Sequence, residues 1–237
     1  MNSFTASEVR NKLAKLADKE KARLLQGFFK TGPGQYGEGD IFLGITVPVI
    51  RKLMKECDGI RIEEMLKLLR SGIHEERLIA LFLMVRAFVK GDEDTRKKIY
   101  TVYLENTRFI NNWDLVDLSA PNIVGAYLLE RSRKPLYGLA KSRDLWKRRI
   151  AILSTAAFIR QNDFDDALAI STILIADEHD LIHKAVGWML REIGKRDLAR
   201  EERFLKPHYR HMPRTMLRYA IERFPEQKRQ KYLKGKM

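Results

Sequence analysis

An all-α solenoid is the fold class that three features of this 237-residue chain predict. Period-2 strand patterns are nearly absent, whereas apolar residues recur at helical spacing in EERLIALFLMVRAFVK, RRIAILSTAAFIR and HKAVGWMLREIGK. Breaks at TGPGQYGEGD, KGDED, SRKP, RQND and ADEHD cut the chain into about a dozen helices with short connections. Arg77, Trp113, Arg149 and Lys184 each open an apolar helix, at steps of 36, 36 and 35 residues. A helix pair recurring every ~35–40 residues is the pattern of a HEAT-like helical repeat. Stacked pairs curve, with one helix of each pair on a concave face. The length suits a single domain over residues 1–237.

Taken in order, the breaks and runs place the elements. The Gly-rich stretch at 32–40 reads as a long loop entering a helix near Val47–Pro48. It is not a phosphate-binding P-loop, because no Gly-Lys-Ser/Thr follows it. RLIALFL follows Arg77, and the more polar DEDTRKKIYTVYLENT precedes the next apolar helix of the series, WDLVDLS. RIAILST and KAVGWML continue the series. Trp146 falls outside the register and is expected to pack internally. His179 and His183 lie four apart but lack a third ligand, so no metal is expected.

Composition narrows the function classes. Apolar residues make up 45% and charged residues 32%, a globular balance with no run long enough to span a bilayer. The N-terminal MNSFTASEVRNK lacks an apolar signal core, so the expected compartment is the cytoplasm. One cysteine, Cys57, rules out an internal disulfide and a multi-cysteine zinc site, and reads as a small buried hydrophobe. The net charge of +14 points to a polyanion and argues against a protein-binding scaffold. The charge is uneven. Residues 131–149 hold eight Lys/Arg and one acid, whereas 161–183 hold six acids and no Lys/Arg. One basic face and one neutral or acidic face are the expectation, with the basic face concave.

Equivalent positions on stacked helices lie side by side, so Arg77, Trp113, Arg149 and Lys184 are expected in a row. Asp117 and Trp188 follow Trp113 and Lys184 by four residues, one turn deeper on the same faces. Arg77, Arg148, Arg149 and Lys184 are the candidate phosphate contacts. Asp114 complements the start of its helix and reads as structural. Asp117, between Val116 and Leu118, is costly inside a helix unless paired or wet. Its structural alternative is an ion pair with Arg149; Trp113 and Trp188 have the alternative of core packing. Phosphate-binding cations do not explain two indoles and a carboxylate. Aromatic faces attract cations by roughly 0.5–2 kcal/mol. A carboxylate about 4 Å from a unit positive charge gains about 4 kcal/mol at an effective dielectric near 20. Breaking a base–sugar bond develops such a charge on the deoxyribose. The set therefore fits a DNA glycosylase.

FLGITVP, NNWDLVDLSAP, WKRRIAIL and HKAVGWMLRE resemble the motifs of the AlkD-type DNA alkylation-repair glycosylases, built of HEAT-like repeats. The similarity runs from about Phe42 to MPRTMLRYAIERFP. The resemblance implies that Trp113 and Trp188 contact the lesion-bearing deoxyribose, that Asp117 stabilises the cationic sugar, and that Arg149 lies on the backbone near the lesion. It implies excision of cationic lesions of the N3-methyladenine and N7-methylguanine type from double-stranded DNA, without the usual base flipping. An aromatic near Phe28 matches a DNA-facing tyrosine of that family but lacks its hydroxyl. The loop at 32–40 is longer than in the best-known members. A cationic base leaves readily, so no strong general acid is required, and no lysine is marked as a Schiff-base nucleophile. The expectation is a monomeric, monofunctional enzyme with no cofactor and no obligate protein partner. The competing expectation is a non-catalytic HEAT-like module that binds nucleic acid by charge and shape.

Overall fold

The computed structural model describes residues 4–57 and 59–237. Those residues are helical in the main, and their β pairing is the isolated parallel bridge between Ile41 and Ile73. No helix among them is long and apolar enough to cross a membrane. The chain divides into two compact units, Met1–Ser119 and Ala120–Met237.

The first unit holds α1 (Ala6–Ala14), α2 (Lys19–Phe28), α3 (Val47–Glu56), α4 (Ile62–Leu69), α5 (His74–Lys90), α6 (Glu93–Glu105) and α7 (Trp113–Ala120), which runs one residue past its end. α5 is its centre, touched by α1, α3, α4 and α6. The sequence explains why. LIALFLMV is apolar on every side, so the helix is buried all round instead of along one stripe. Thr5 and Glu8 form a capping box at α1, Asp18 caps α2 and Asp92 caps α6. α3 starts at Val47–Pro48 as expected, because proline has no N–H to leave unpaired in a first turn. Cys57 is fully buried.

The second unit opens with a π turn at Pro121–Gly125. It continues with α8 (Lys134–Ala140), α9 (Leu145–Ser154), α10 (Ala156–Ile159), α11 (Asp165–Ile173), α12 (Asp180–Gly194), α13 (Leu198–His208), α14 (Arg214–Ala220) and α15 (Glu226–Leu233). α12 is its centre and packs on α9, α10, α11, α13 and α14. Gly187 sets the approach of α14: a Cβ there would collide with the Met216 carbonyl and the Tyr219 side chain. Trp146 packs internally, as expected.

The repeat is present but its register differs from the one read in the sequence. The helices concerned begin at His74, Trp113, Leu145 and Asp180, so the steps are 39, 32 and 35 residues. Trp113 does open α7. Arg77, Arg149 and Lys184 sit about one turn inside their helices, level with Asp117 and not with Trp113.

Candidate active site

α7 is a helix with one open face. Asp114, Leu115, Val116, Ser119 and Ala120 are buried, whereas Trp113, Asp117 and Leu118 are only half-buried. The i,i+4 spacing therefore brings an indole and a carboxylate to the same solvent-reached face. The helix is pinned from behind by the buried Tyr103 hydroxyl, which lies 2.9 Å from Ser119 Oγ. Burial pushes the Tyr103 phenol well up, and the Asp117 charge adds to that.

A column of rings backs Trp113. The indole stacks on Phe29 at 5.0 Å between centroids, Phe29 stacks on Phe42 at 5.0 Å, and Phe42 stacks on the His74 imidazole at 4.4 Å. Phe28 meets the indole edge-on at 5.9 Å and is 64% exposed. An apolar ring so exposed, next to a half-open indole, is an unusual place for a phenylalanine.

Beneath the column lies a buried ionic network that the sequence reading did not foresee. His74, 2% exposed, sets Nδ1 3.0 Å from Asp40 Oδ2 and Nε2 2.8 Å from Asp114 Oδ2. Asp40 also receives Arg77 Nη2 and, at 3.0 Å, Asn112 Nδ2. Burial alone would weaken the proton's hold on His74. The two carboxylates more than reverse this, and the imidazole is pushed up to about 9. For Asp40, burial is outweighed by His74, Arg77 and Asn112, which hold its carboxyl below the usual range. Arg77, expected among the phosphate contacts, is thus a buried partner of Asp40, 5% exposed. Asp114 is structural, as expected, through His74.

The Gly-rich loop supplies Asp40 and Phe42. Glu75 fastens its exit by accepting the N–H groups of Leu43 at 2.9 Å, Gly44 at 2.8 Å and Ile45 at 3.1 Å. Gly44 has φ +85°, and a Cβ there would strike the Asp18 carbonyl. One signal for all this was available. The run His74-Glu75-Glu76-Arg77 opens a helix that is apolar all round, so its charges had to be buried with partners.

In the second unit, α12 repeats the pattern of α7. Ala185, Val186, Gly187, Met189 and Leu190 are buried, and Lys184, Trp188 and Glu192 share the more open face. Trp188 Nε1 donates to Glu192 Oε1 at 3.1 Å, and Lys184 pairs with Asp180 at 2.7 Å. Arg149 is 4% exposed and donates from Nη1 to the Leu181 carbonyl, tying α9 to the start of α12. Arg148 Nε donates to Asp177 Oδ2 at 2.6 Å.

The charge runs separated along the sequence are not separated in space. Arg133 pairs with Asp163 and Asp166, Arg148 with Asp177, Lys184 with Asp180, and Arg200 with Asp165. Of the basic run, Arg133 and Arg148 are held by carboxylates of the acidic stretch, whose Asp180 and Asp165 pair with Lys184 and Arg200 beyond it. α8 and α9 pack on α11, and that contact brings the two runs together. Among the described residues no group of three or more His, Cys, Asp or Glu is placed to hold a metal ion.

Comparison with known proteins agrees with this architecture. The sequence profile of the "DNA alkylation repair enzyme" family matches residues 9–224. Three solved structures share the fold. A "predicted DNA alkylation repair enzyme" from Enterococcus faecalis superposes with a TM-score of 0.68 at 17% identity, over 89% of this chain and 97% of that one. AlkD2 from Streptococcus mutans gives 0.54 at 17% identity, over 92% and 96%. The smu.31 protein of Streptococcus mutans UA159 gives 0.51 at 19% identity, over 91% and 95%. No curated protein matches. With nearly its whole length matched by the profile, this helical chain belongs to the DNA alkylation repair enzyme family.

Proposed function

We propose that the chain is a monofunctional DNA glycosylase that removes cationic alkylated purines from duplex DNA. The observation that carries this is the open face of α7, where a half-buried Trp113 and Asp117 stand together on an otherwise buried helix. In the reaction the C1′–N bond of the alkylpurine breaks and its electron pair leaves with the base, which becomes neutral. The deoxyribose is left oxocarbenium-like. Water adds to C1′ and loses a proton, giving an abasic site. Asp117 stabilises the cationic sugar and orients the water. Trp113 offers its indole face to that charge, and Trp188 is the second indole of the proposal. Because the substrate base already carries its positive charge, no general acid is required of the protein. The reading includes a monomer acting without a cofactor.

Phosphate contacts by Arg148 and Lys184 belong to the proposal too, whereas Arg149, expected among them, is buried on the Leu181 carbonyl and supports the start of α12 from inside. Since Arg148 and Lys184 already pair with carboxylates, they contact DNA by sharing or exchanging those partners.

The test is Asp117→Asn. It keeps the shape and removes the charge. Single-turnover release of N7-methylguanine should fall by roughly 10²–10³, the scale of losing one preorganised electrostatic stabiliser, while duplex affinity holds or rises slightly. A non-catalytic nucleic-acid-binding module predicts no base release from either protein. A variant that melts early yet excises at the normal rate while folded would sink the assignment of Asp117.

A further inference from the structure

We infer that His74 is the positioning residue for Trp113, holding the indole in its working orientation through the buried Asp40–His74–Asp114 bridge and the Phe42–Phe29 ring column. This rests on the glycosylase reading for its kinetic consequence, though not for its geometry.

Both imidazole nitrogens face carboxylate oxygens, at 3.0 and 2.8 Å. An ionised carboxylate only accepts, so both nitrogens must donate and the ring is an imidazolium. With Asp40, Asp114 and Arg77 it makes a closed set of two positive and two negative groups. A buried charge set is stable only if complete, because removing one member strands another.

The set reaches Trp113 by two routes. The backbone route brackets it. Asn112, just before it, donates Nδ2 to Asp40 and accepts the Trp113 N–H on Oδ1 at 2.8 Å. Asp114, just after it, is bonded to His74. The ring route supports it, from imidazolium to Phe42 to Phe29 to indole. Both routes end on His74, whose own N–H donates to the Ile41 carbonyl at 2.8 Å and locks the loop that carries Asp40 and Phe42. The indole therefore has little freedom to tilt while the imidazolium is in place. The other charged groups nearby are engaged elsewhere: Glu75 on the loop amides, and Glu76 with Arg10 of α1 at 2.8 Å. Deprotonation of His74 removes one of its two donors and leaves the set one positive charge short. That frees the α7 entry and the column together.

The experiment has two arms on the full chain. In the first, His74→Gln is compared with the unaltered protein at a temperature where both are folded. Single-turnover excision of N7-methylguanine should fall roughly 10–100-fold, the scale of misplacing a reacting group, with duplex affinity unchanged. A folded His74→Gln that excises at the normal rate overturns the inference. In the second arm, the Trp113 indole N–H signal, assigned with Trp113→Phe, is followed by 15N-resolved NMR from pH 7 to 10. It should shift with a midpoint near 9 in the unaltered protein. A flat profile overturns the inference, and this arm decides the matter if His74→Gln does not fold. If the unaltered protein releases no base but its indole signal titrates, the glycosylase reading fails and the His74–Trp113 link stands.

Discussion

Replacing Glu201 with glutamine should stabilise the protein at neutral pH. Glu201 lies in α13, 1% exposed, with Oε2 against Gly194 of α12, and its Oε1 meets no hydrogen-bond partner. Burial raises its carboxyl most, the neighbouring Glu202 raises it further, and Arg191 only partly opposes them, so it is pushed up to about 9. The ordinary value is 4.5. In the folded chain the group therefore stays protonated through neutrality, whereas in the unfolded chain it ionises above 4.5. Its contribution is fully favourable below 4.5 and is lost as pH rises toward 9. Each pH unit in that window favours the unfolded state by about 1.4 kcal/mol, which amounts to about 3 kcal/mol by pH 7. Glutamine keeps the shape and cannot ionise. The gain is an upper limit, since the amide also needs partners. On a chain of this size it corresponds to a rise of roughly 6–12 °C in Tm. The assay is thermal melting of both proteins from pH 5 to 8, where the gap should widen with pH. A glutamine variant that melts below the parent at pH 7, or a gap that does not change with pH, would refute the reasoning and mean that Glu201 is ionised and paired.

The remaining predictions concern the first unit and the basic segment. His74 behaves with the opposite charge but the same window logic: its stabilisation is full below pH 6.5 and is lost as pH rises through about 9, about 3 kcal/mol in all, so urea melts should weaken over that range and His74→Gln should flatten the dependence. Asp177→Asn should release Arg148 for phosphate, tightening duplex binding and steepening the slope of log K against log salt by about one unit; an unchanged slope would place Arg148 off the DNA. Gly44→Ala should cost about 2 kcal/mol or more, because the backbone sits at φ +85° and the new methyl meets α2, and the loss should appear in melting before any assay of activity.

The helices were legible because apolar periodicity and capping residues are local properties. Asp18, Asp92 and Asp144 announce their helix starts whatever the tertiary context. The open face of α7 was also legible, since the Trp113–Asp117 spacing needs only a helix. The register of the repeat was not. The helix starts depend on the chain before each one, and three of the four chosen markers fall a turn inside. The ion pairs were not legible for a related reason: distance along the sequence says nothing of Arg133 meeting Asp163 and Asp166, which depends on α8 packing on α11. The Asp40–His74–Asp114 bridge joins a loop to two helices, and no periodicity encodes such a contact.

The Gly-rich loop has a modular build. Within its tip the Gly32 N–H donates to Gln35 Oε1 and the Gly34 N–H to Glu38 Oε2, each at 3.0 Å. Its base is closed by Gly37 N–H on the Lys30 carbonyl, and its exit by Glu75. Gly34 and Gly39 face open space. Gly37 is the tight point, where a Cβ would strike the Phe29 carbonyl, so room for change lies at Gly34 and not at Gly37. Extra sequence spliced there adds closure entropy of only ~0.6 kcal/mol per doubling of length. It is a port on the molecule's surface: a place where an epitope, a fluorophore or a second binding module can be grafted while the Trp113 column keeps its setting.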